Sequence, residues 1–227
     1  MAPTKPTFTT AGQAVISAFE GAITTTFLKH PKKAFAFLVE FNCHHPRLLA
    51  LADKKPPMHF HPYQTEYMEV LEGRLTVEAE GVQNILTPES GVFAVKPWTN
   101  HRLYPPPVTD EIITKFILSG SDTAESYKMD GVFFQNWYGY QDQVVLKGEK
   151  IDLLQVMSMF DAGGSYLSLP WYIPFSRTIS MAMSIFLGRW VGGLLGYQPF
   201  YKEWTNEWDI ACEKMSESSF QKRFARS

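Results

Sequence analysis

Residues 59–73 read HFHPYQTEYMEVLEG, and the fold of the chain turns on them. Two of the six histidines stand here one residue apart, and a glutamate follows five positions after the second. On a strand, side chains at i and i+2 share a face, so His59 and His61 point one way while Met58 and Phe60 point the other. Two imidazoles converging from one side are what a metal ion asks of its ligands. Pro62-Tyr63 reads as a turn, so that Glu66 returns on the next strand able to offer an oxygen. His101, in GVFAVKPWTNHRLYP (91–105), is the histidine best placed to complete a set of three imidazoles and one carboxylate. Such a set leaves one or two positions open on an octahedral ion, which suits Fe(II) first, then Mn(II), Ni(II) or Zn(II). His30 and the pair His44-His45 sit in polar, loop-like contexts and read as surface histidines.

Working outward, the first half of the chain reads as short strands parted by turns. LTVEAE (75–80) alternates Leu75, Val77 and Ala79 with Thr76, Glu78 and Glu80, the period of a half-buried strand. YMEVLE (67–72) precedes it, and with Glu72-Gly73 between them the two read as a hairpin. AFAFLVEFN (34–42), GVFAVKP (91–97) and EIITKFILSG (111–120) are further strands, and ISAFEGAITTTFL (16–28) contains one more. Short strands at this spacing predict a β-barrel or sandwich. The character changes near residue 125, with the boundary in the polar segment GSDTAESYKMDG (120–131). Beyond it, KIDLLQVMSMFDAGG (150–164) predicts a helix stopped by Gly163-Gly164. A rigid proline loop, SLPWYIP (168–174), leads into RTISMAMSIFLGRWVGGLLGY (177–197), a second and almost wholly apolar helix.

Composition narrows the function. The 227 residues carry 45% hydrophobic and 19% charged side chains, enough to bury a core, and the aromatic share of 15% suits an apolar cavity or a sticky surface. A net charge of −2 gives no basic field for nucleic acid. Two cysteines, Cys43 and Cys212, form no disulfide framework and fit a reducing compartment. The opening MAPTKPTFTTAGQAV lacks the charged stub and apolar run of a signal peptide, so a cytoplasmic protein is expected.

The histidine stretch resembles the cupin superfamily. Its first motif, two histidines one residue apart followed by a glutamate and a glycine, is matched by His59, His61, Glu66 and Gly73. Its second, a glycine, a proline six later and then a histidine, is matched by Gly91, Pro97 and His101. The resemblance covers roughly residues 50–105 and implies a jelly-roll, double-stranded β-helix barrel with the metal inside. We expect that barrel over 15–125 and a helical C-terminal extension over 126–227 that packs against or caps it. There are departures. Asp53 stands where the family carries a glycine six before the first histidine. Trp98-Thr99 replaces the glycine after the proline, and Tyr104 lies near the place of an expected asparagine.

The C-terminal half, with MSMFDAGGSYLSLPWYIPFSRTIS (157–180) and GRWVGGLLGYQPFYKEWT (188–205), is similar to small fungal cupin-domain oxidoreductases that accompany polyketide synthases, those of alkyl-salicylaldehyde-type clusters. That likeness implies a metal-dependent enzyme, an oxidoreductase or a cyclase or isomerase, acting on a small apolar polyketide-type intermediate of secondary metabolism. His59, His61, Glu66 and His101 would hold a divalent metal, with Met68, Val70, Leu75, Val77, Phe93 and Val95 as apolar lining. Tyr63, Trp98 and Tyr104 flank the ligands, and the two tyrosines are candidates to orient substrate or move protons. The alternatives are a metal-free cupin that binds an apolar ligand or acts as a non-catalytic accessory, and a barrel serving mainly to dimerise.

The apolar stretch 178–197 raises a separate expectation, since about 20 such residues span a bilayer. Ser180, Ser184, Gly188, Gly192 and Gly196 recur every four residues. On a helix of 3.6 residues per turn such a stripe drifts by about 40° per step and wraps around the axis. We expect a helix packed on the protein or within a homodimer, with peripheral membrane contact through 178–197 as the second reading.

Overall fold

The computed structural model describes residues 3–52, 54–106 and 111–226. Asp53, one of the departures noted above, lies outside them. The chain divides into two compact units, Ala14–Thr123 and a second made of Met1–Gln13 with Ala124–Ser227.

The first unit is the expected jelly-roll barrel. Its strands are β1 (Val15–Ala18), β2 (Ile23–Phe27), β3 (Lys33–Asn42), β4 (His59–Phe60) and β5 (Glu66–Glu72). They continue with β6 (Leu75–Ala79), β7 (Val82–Leu86), β8 (Val92–Val95), β9 (His101–Tyr104) and β10 (Ile113–Ser121). One sheet runs β1-β2-β3-β10-β5-β8, and in the other β4, β9, β6 and β7 lie side by side in that order. Strand alternation sets the core. On β5, Glu66, Met68 and Val70 are buried while Tyr67 and Glu69 are only half-buried. Leu75 and Val77 of β6, with Phe116 and Leu118 of β10, add to the buried set. Burying side chains of this size is worth roughly 1.5–3 kcal/mol each.

Two expectations are corrected here. The hairpin read across Glu72-Gly73 is instead a crossing between sheets, because β5 pairs with β8 and β10 whereas β6 pairs with β7 and β9. Gly73 is needed for that crossing. It sits at φ +73°, and a Cβ there would lie 2.6 Å from the Ile113 carbonyl oxygen. The true hairpin is β6–β7, turned by Glu80 and Gly81, both at positive φ, as a two-residue turn between right-twisted strands requires. Residues 16–28, in which one strand was expected, form parts of two, β1 and β2, parted by a left-handed turn at Phe19, Glu20 and Gly21.

The second unit is helical. Helix Gly131–Lys147 starts where the Asp130 carboxylate accepts the Phe133 N–H and stops at Gly148 in the left-handed region. Helix Leu153–Ala162 is capped by Asp152, which accepts from the Leu154 N–H. A small cluster of Val132, Ala162, Phe200, Ala211 and Met215 is fully buried, Ala211 and Met215 coming from helix Trp208–Ser216. The N-terminal segment joins this unit through backbone bonds from Thr10 and Ala11 to the Glu203 carbonyl at 2.8 and 3.0 Å, and from the Gln143 amide to the Lys5 carbonyl at 3.1 Å.

The apolar helix runs from Ser176 to Leu195, and its middle, Ser184–Gly192, winds as a π-helix. This changes the fate of the small-residue stripe. A π-turn closes i→i+5, so each residue advances through a smaller angle than in an α-helix, and a spacing of four no longer drifts in one direction. Ser180, Ser184, Gly188 and Gly192 are all buried as a result. A Cβ on Gly188 would meet the Met157 backbone at 2.5 Å, so helix Leu153–Ala162 lies directly against it. Four of the five stripe residues thus share the buried face, while Gly196, past the helix end at φ +101°, is half-buried.

Candidate metal centre

The register of the second sheet brings the two histidine segments together. His59 on β4 lies directly opposite His101 on β9, and His61 follows β4 with its carbonyl accepting the Trp98 N–H at 2.8 Å. The three rings gather with centroids 4.5 Å (His59–His101), 5.0 Å (His59–His61) and 5.0 Å (His61–His101) apart. One nitrogen from each lies within 4.8 Å of the others. Glu66, the first residue of β5, reaches the same place from the other sheet, its Oε2 3.0 Å from His101 Nε2. Of the four, His61, Glu66 and His101 are buried and His59 is half-buried.

The hydrogen bonds behind the rings fix how they face the cluster. Nδ1 of His101 donates to the Thr99 carbonyl at 2.9 Å, and Nδ1 of His59 to the Pro57 carbonyl at 3.1 Å. A carbonyl can only accept, so each Nδ1 carries the proton and Nε2 is the atom offered to a ligand. Metal-bound histidines are oriented in this way, with the second nitrogen tied to a backbone oxygen. Electrostatics part the two rings. Burial, and then the charge of neighbouring His101, hold His59 well below the ordinary histidine range, in the neutral form a metal requires. Burial also works to lower His101, but the Glu66 carboxylate outweighs it, and His101 lies above its usual value. The three imidazoles present therefore fit a divalent ion, with their nitrogens converging and the Glu66 carboxylate beside His101.

The loops that carry these groups are pinned. Thr65 N–H donates to Ser121 Oγ, Ser121 N–H donates to the Thr65 carbonyl, and the Gln64 amide donates to the Ser121 carbonyl, each at 2.9 Å. Gln64 is fully buried, and nothing in the hydropathy pattern marks it, because a polar residue in a turn normally reads as solvated. The missing glycine after Pro97 is also accounted for. Trp98 takes the left-handed conformation itself, at φ +67°, and its ring stacks on Phe60 at 5.6 Å.

The two tyrosines fall differently. Alternation along β9 puts Tyr104 on the face opposite His101, where its hydroxyl donates to Glu78 and accepts from Gln83, both at 3.2 Å. The structure does not bring it to the imidazoles as expected. Tyr63 stands in the turn after His61, 42% exposed. Among the expected lining residues, Met68, Val70, Leu75, Val77 and Val95 are buried and Phe93 is half-buried. His30 is exposed, and His45 caps the one-turn helix Pro46–Leu49 by accepting the Arg47 N–H.

No family model matches the chain. Among curated proteins it is 46% identical to an oxidoreductase of Arthrobotrys oligospora over 228 residues, covering 99% of this chain and 90% of the relative. It is 46% identical to the probable oxidoreductase yanE of Aspergillus niger, covering 99% and 89%. It is 39% identical to the epoxidase atD of Aspergillus terreus, covering 97% and 72%. Among solved structures, KdgF from Halomonas is 19% identical with a TM-score of 0.36, covering 54% of this chain and 97% of that one.

Proposed function

The chain belongs to this family of fungal oxidoreductases, and on that premise we propose that it is a metal-dependent cupin enzyme that oxidises a small, apolar polyketide-type intermediate of secondary metabolism. His59, His61, Glu66 and His101 would hold a divalent ion, Fe(II) in the first instance. The observation that carries this reading is the convergence of three imidazole nitrogens within 4.8 Å, two of them aimed by carbonyls behind the rings. Such an ion, when bound, would supply Lewis-acid polarisation of a substrate oxygen or activation of O₂.

The chain's own groups do the rest. The Pro57 and Thr99 carbonyls keep both Nδ1 protons in place, so that His59 and His101 present Nε2. Met68, Val70 and Val77 supply buried apolar side chains on the strands that exclude water from the barrel interior. Tyr63 remains the tyrosine able to orient substrate; Tyr104, engaged with Glu78 and Gln83, drops out of that role. The activity of the Aspergillus terreus relative, an epoxidase, favours oxidation over isomerisation or cyclisation as the reaction here.

The test is aerobic against anaerobic incubation of the Fe(II)-loaded protein with phenolic and enolic polyketide intermediates, following O₂ uptake and product together. The reading expects turnover that needs both the ion and O₂. Equal turnover by the metal-stripped protein would overturn the metal's role, and equal turnover without O₂ would overturn its use as the oxidant.

A further inference from the structure

Within the helical unit, one face of the helix Ser176–Leu195 is buried and the other is bare. Phe175, Ile179, Met183, Phe186, Trp190 and Leu194 recur at steps of four, four, three, four and four, and all are exposed. The loop just before them adds Trp171, 92% exposed, and Tyr172. A soluble surface rarely leaves so many large apolar groups contiguous, and such patches mark a docking face.

Charge says what the face meets. Between Asp161 and Glu203 the chain has no acidic residue at all, while Arg177 and Lys202 fall in that stretch, together with Arg189, whose charge Asp161 already meets. At the C-terminal end of the helix, Arg223 donates to the carbonyls of Gly193 and Leu194, and the Trp190 and Phe220 rings lie 6.0 Å apart. That contact seats the segment QKRFAR (221–226) beside exposed Leu194, with Lys222 and Arg226 exposed and no acidic side chain within the segment. We propose that this face, with the Trp171-Tyr172 loop and the 221–226 segment, docks the protein onto the surface of an anionic lipid bilayer. An apolar helical face with aromatic anchors and a basic margin is the composition of an interfacial helix.

The helix lies in the interface and does not cross it. Its other face is committed to its own unit, through the Gly188 contact with the Met157 backbone and through Arg189, which grips Asp161 with two hydrogen bonds of 2.6 and 2.8 Å. A crossing would strip both away. The proposal stands independently of the metal site.

The experiment is flotation of the full chain with vesicles of phosphatidylcholine alone and of phosphatidylcholine with phosphatidylserine, alongside sedimentation without lipid. The expected result is flotation with the anionic vesicles, weakened by salt, abolished in the double variant Phe175→Ser, Phe186→Ser, and weakened at least about tenfold in Lys222→Glu, Arg226→Glu. Circular dichroism checks that both variants fold, and quenching of wild-type tryptophan fluorescence by brominated lipid gives a readout that needs no variant. Absence of flotation and of quenching with anionic vesicles overturns the proposal. So does a wild-type dimer that the Phe175→Ser, Phe186→Ser variant converts to monomer without any lipid binding, which would assign the face to a second copy.

Discussion

The two units both bury ionisable side chains, but they do it in opposite ways. In the helical unit the Asp161 carboxylate is gripped on two sides by the Arg189 guanidinium, which also lies 4.1 Å over the Tyr127 ring. Each charge there meets its opposite. In the barrel unit three imidazoles crowd together with a single carboxylate among them, and His59 is depressed first by burial and then by His101 beside it. Here one charge meets its opposite, His101 with Glu66 at 3.0 Å, and two further imidazoles stand beside the pair. The first arrangement is a closed ion pair, while the second brings three imidazole nitrogens within 4.8 Å of one another, close enough to hold a metal ion.

Substitutions can break this contrast from either side. The largest effect is expected from His101→Ala. It should lower metal affinity by more than the roughly 10–100-fold typical of an outer-shell partner, and abolish turnover, while the apoprotein stays folded. Metal analysis and circular dichroism on one preparation would check both halves. A variant that unfolds without losing affinity would make His101 structural instead.

Asp161→Ala should act the other way, costing about 3–5 kcal/mol because it strands the Arg189 charge in a largely buried place. Urea unfolding followed by circular dichroism measures the loss, and metal retention by the folded fraction should not change. A cost below about 1 kcal/mol would place this pair with ordinary surface ion pairs. Gly188→Ala tests the neighbouring contact, where a new Cβ meets backbone at 2.5 Å. We expect a loss of about 1–3 kcal/mol by the same measurement, as for other overpacked sites. The smallest change should come from Trp98→Gly. It relieves a left-handed backbone worth about 1–3 kcal/mol and forfeits a ring stack on Phe60 of about 0.5–1.5 kcal/mol, so the melting temperature should move little.

The two regions were also unequally legible in the sequence. The metal cluster could be read because its determinants are local: i, i+2 spacing puts His59 and His61 on one face, and Gly73 and Gly91 hold positive-φ turns on either side of the strands between them. What could not be read was which strands pair. The alternation of Leu75, Val77 and Ala79 is the same whether β6 returns on β5 or crosses to the other sheet, and the Ile113 contact that forbids a Cβ at Gly73 is far away in sequence. Tyr104 was misplaced for a related reason. Proximity to His101 in sequence says little until strand parity is counted, and three residues on is the opposite face. In the helical unit the 3.6-residue period itself misled. The stripe from Ser180 to Gly192 looked as though it wrapped because an α-helix was assumed, and no local pattern announces the π-helical winding of Ser184–Gly192. Helices Gly131–Lys147 and Trp208–Ser216 were not singled out, since buried polar groups such as Gln135, Asn136 and Gln143 blur the apolar face of the first. Those groups are satisfied by distant partners, among them Thr205 for Asn136 at 2.8 Å and Lys5 for Gln143 at 3.1 Å, which no local window contains.

Anaerobic titration of the metal-stripped protein with Co(II), read by its visible absorption, is the sharpest probe of the centre. Stoichiometric uptake into a five- or six-coordinate site, lost in both His59→Ala and His101→Ala, is the result expected. Wild-type protein that binds no Co(II), or binds it no better than the two variants do, would contradict the account.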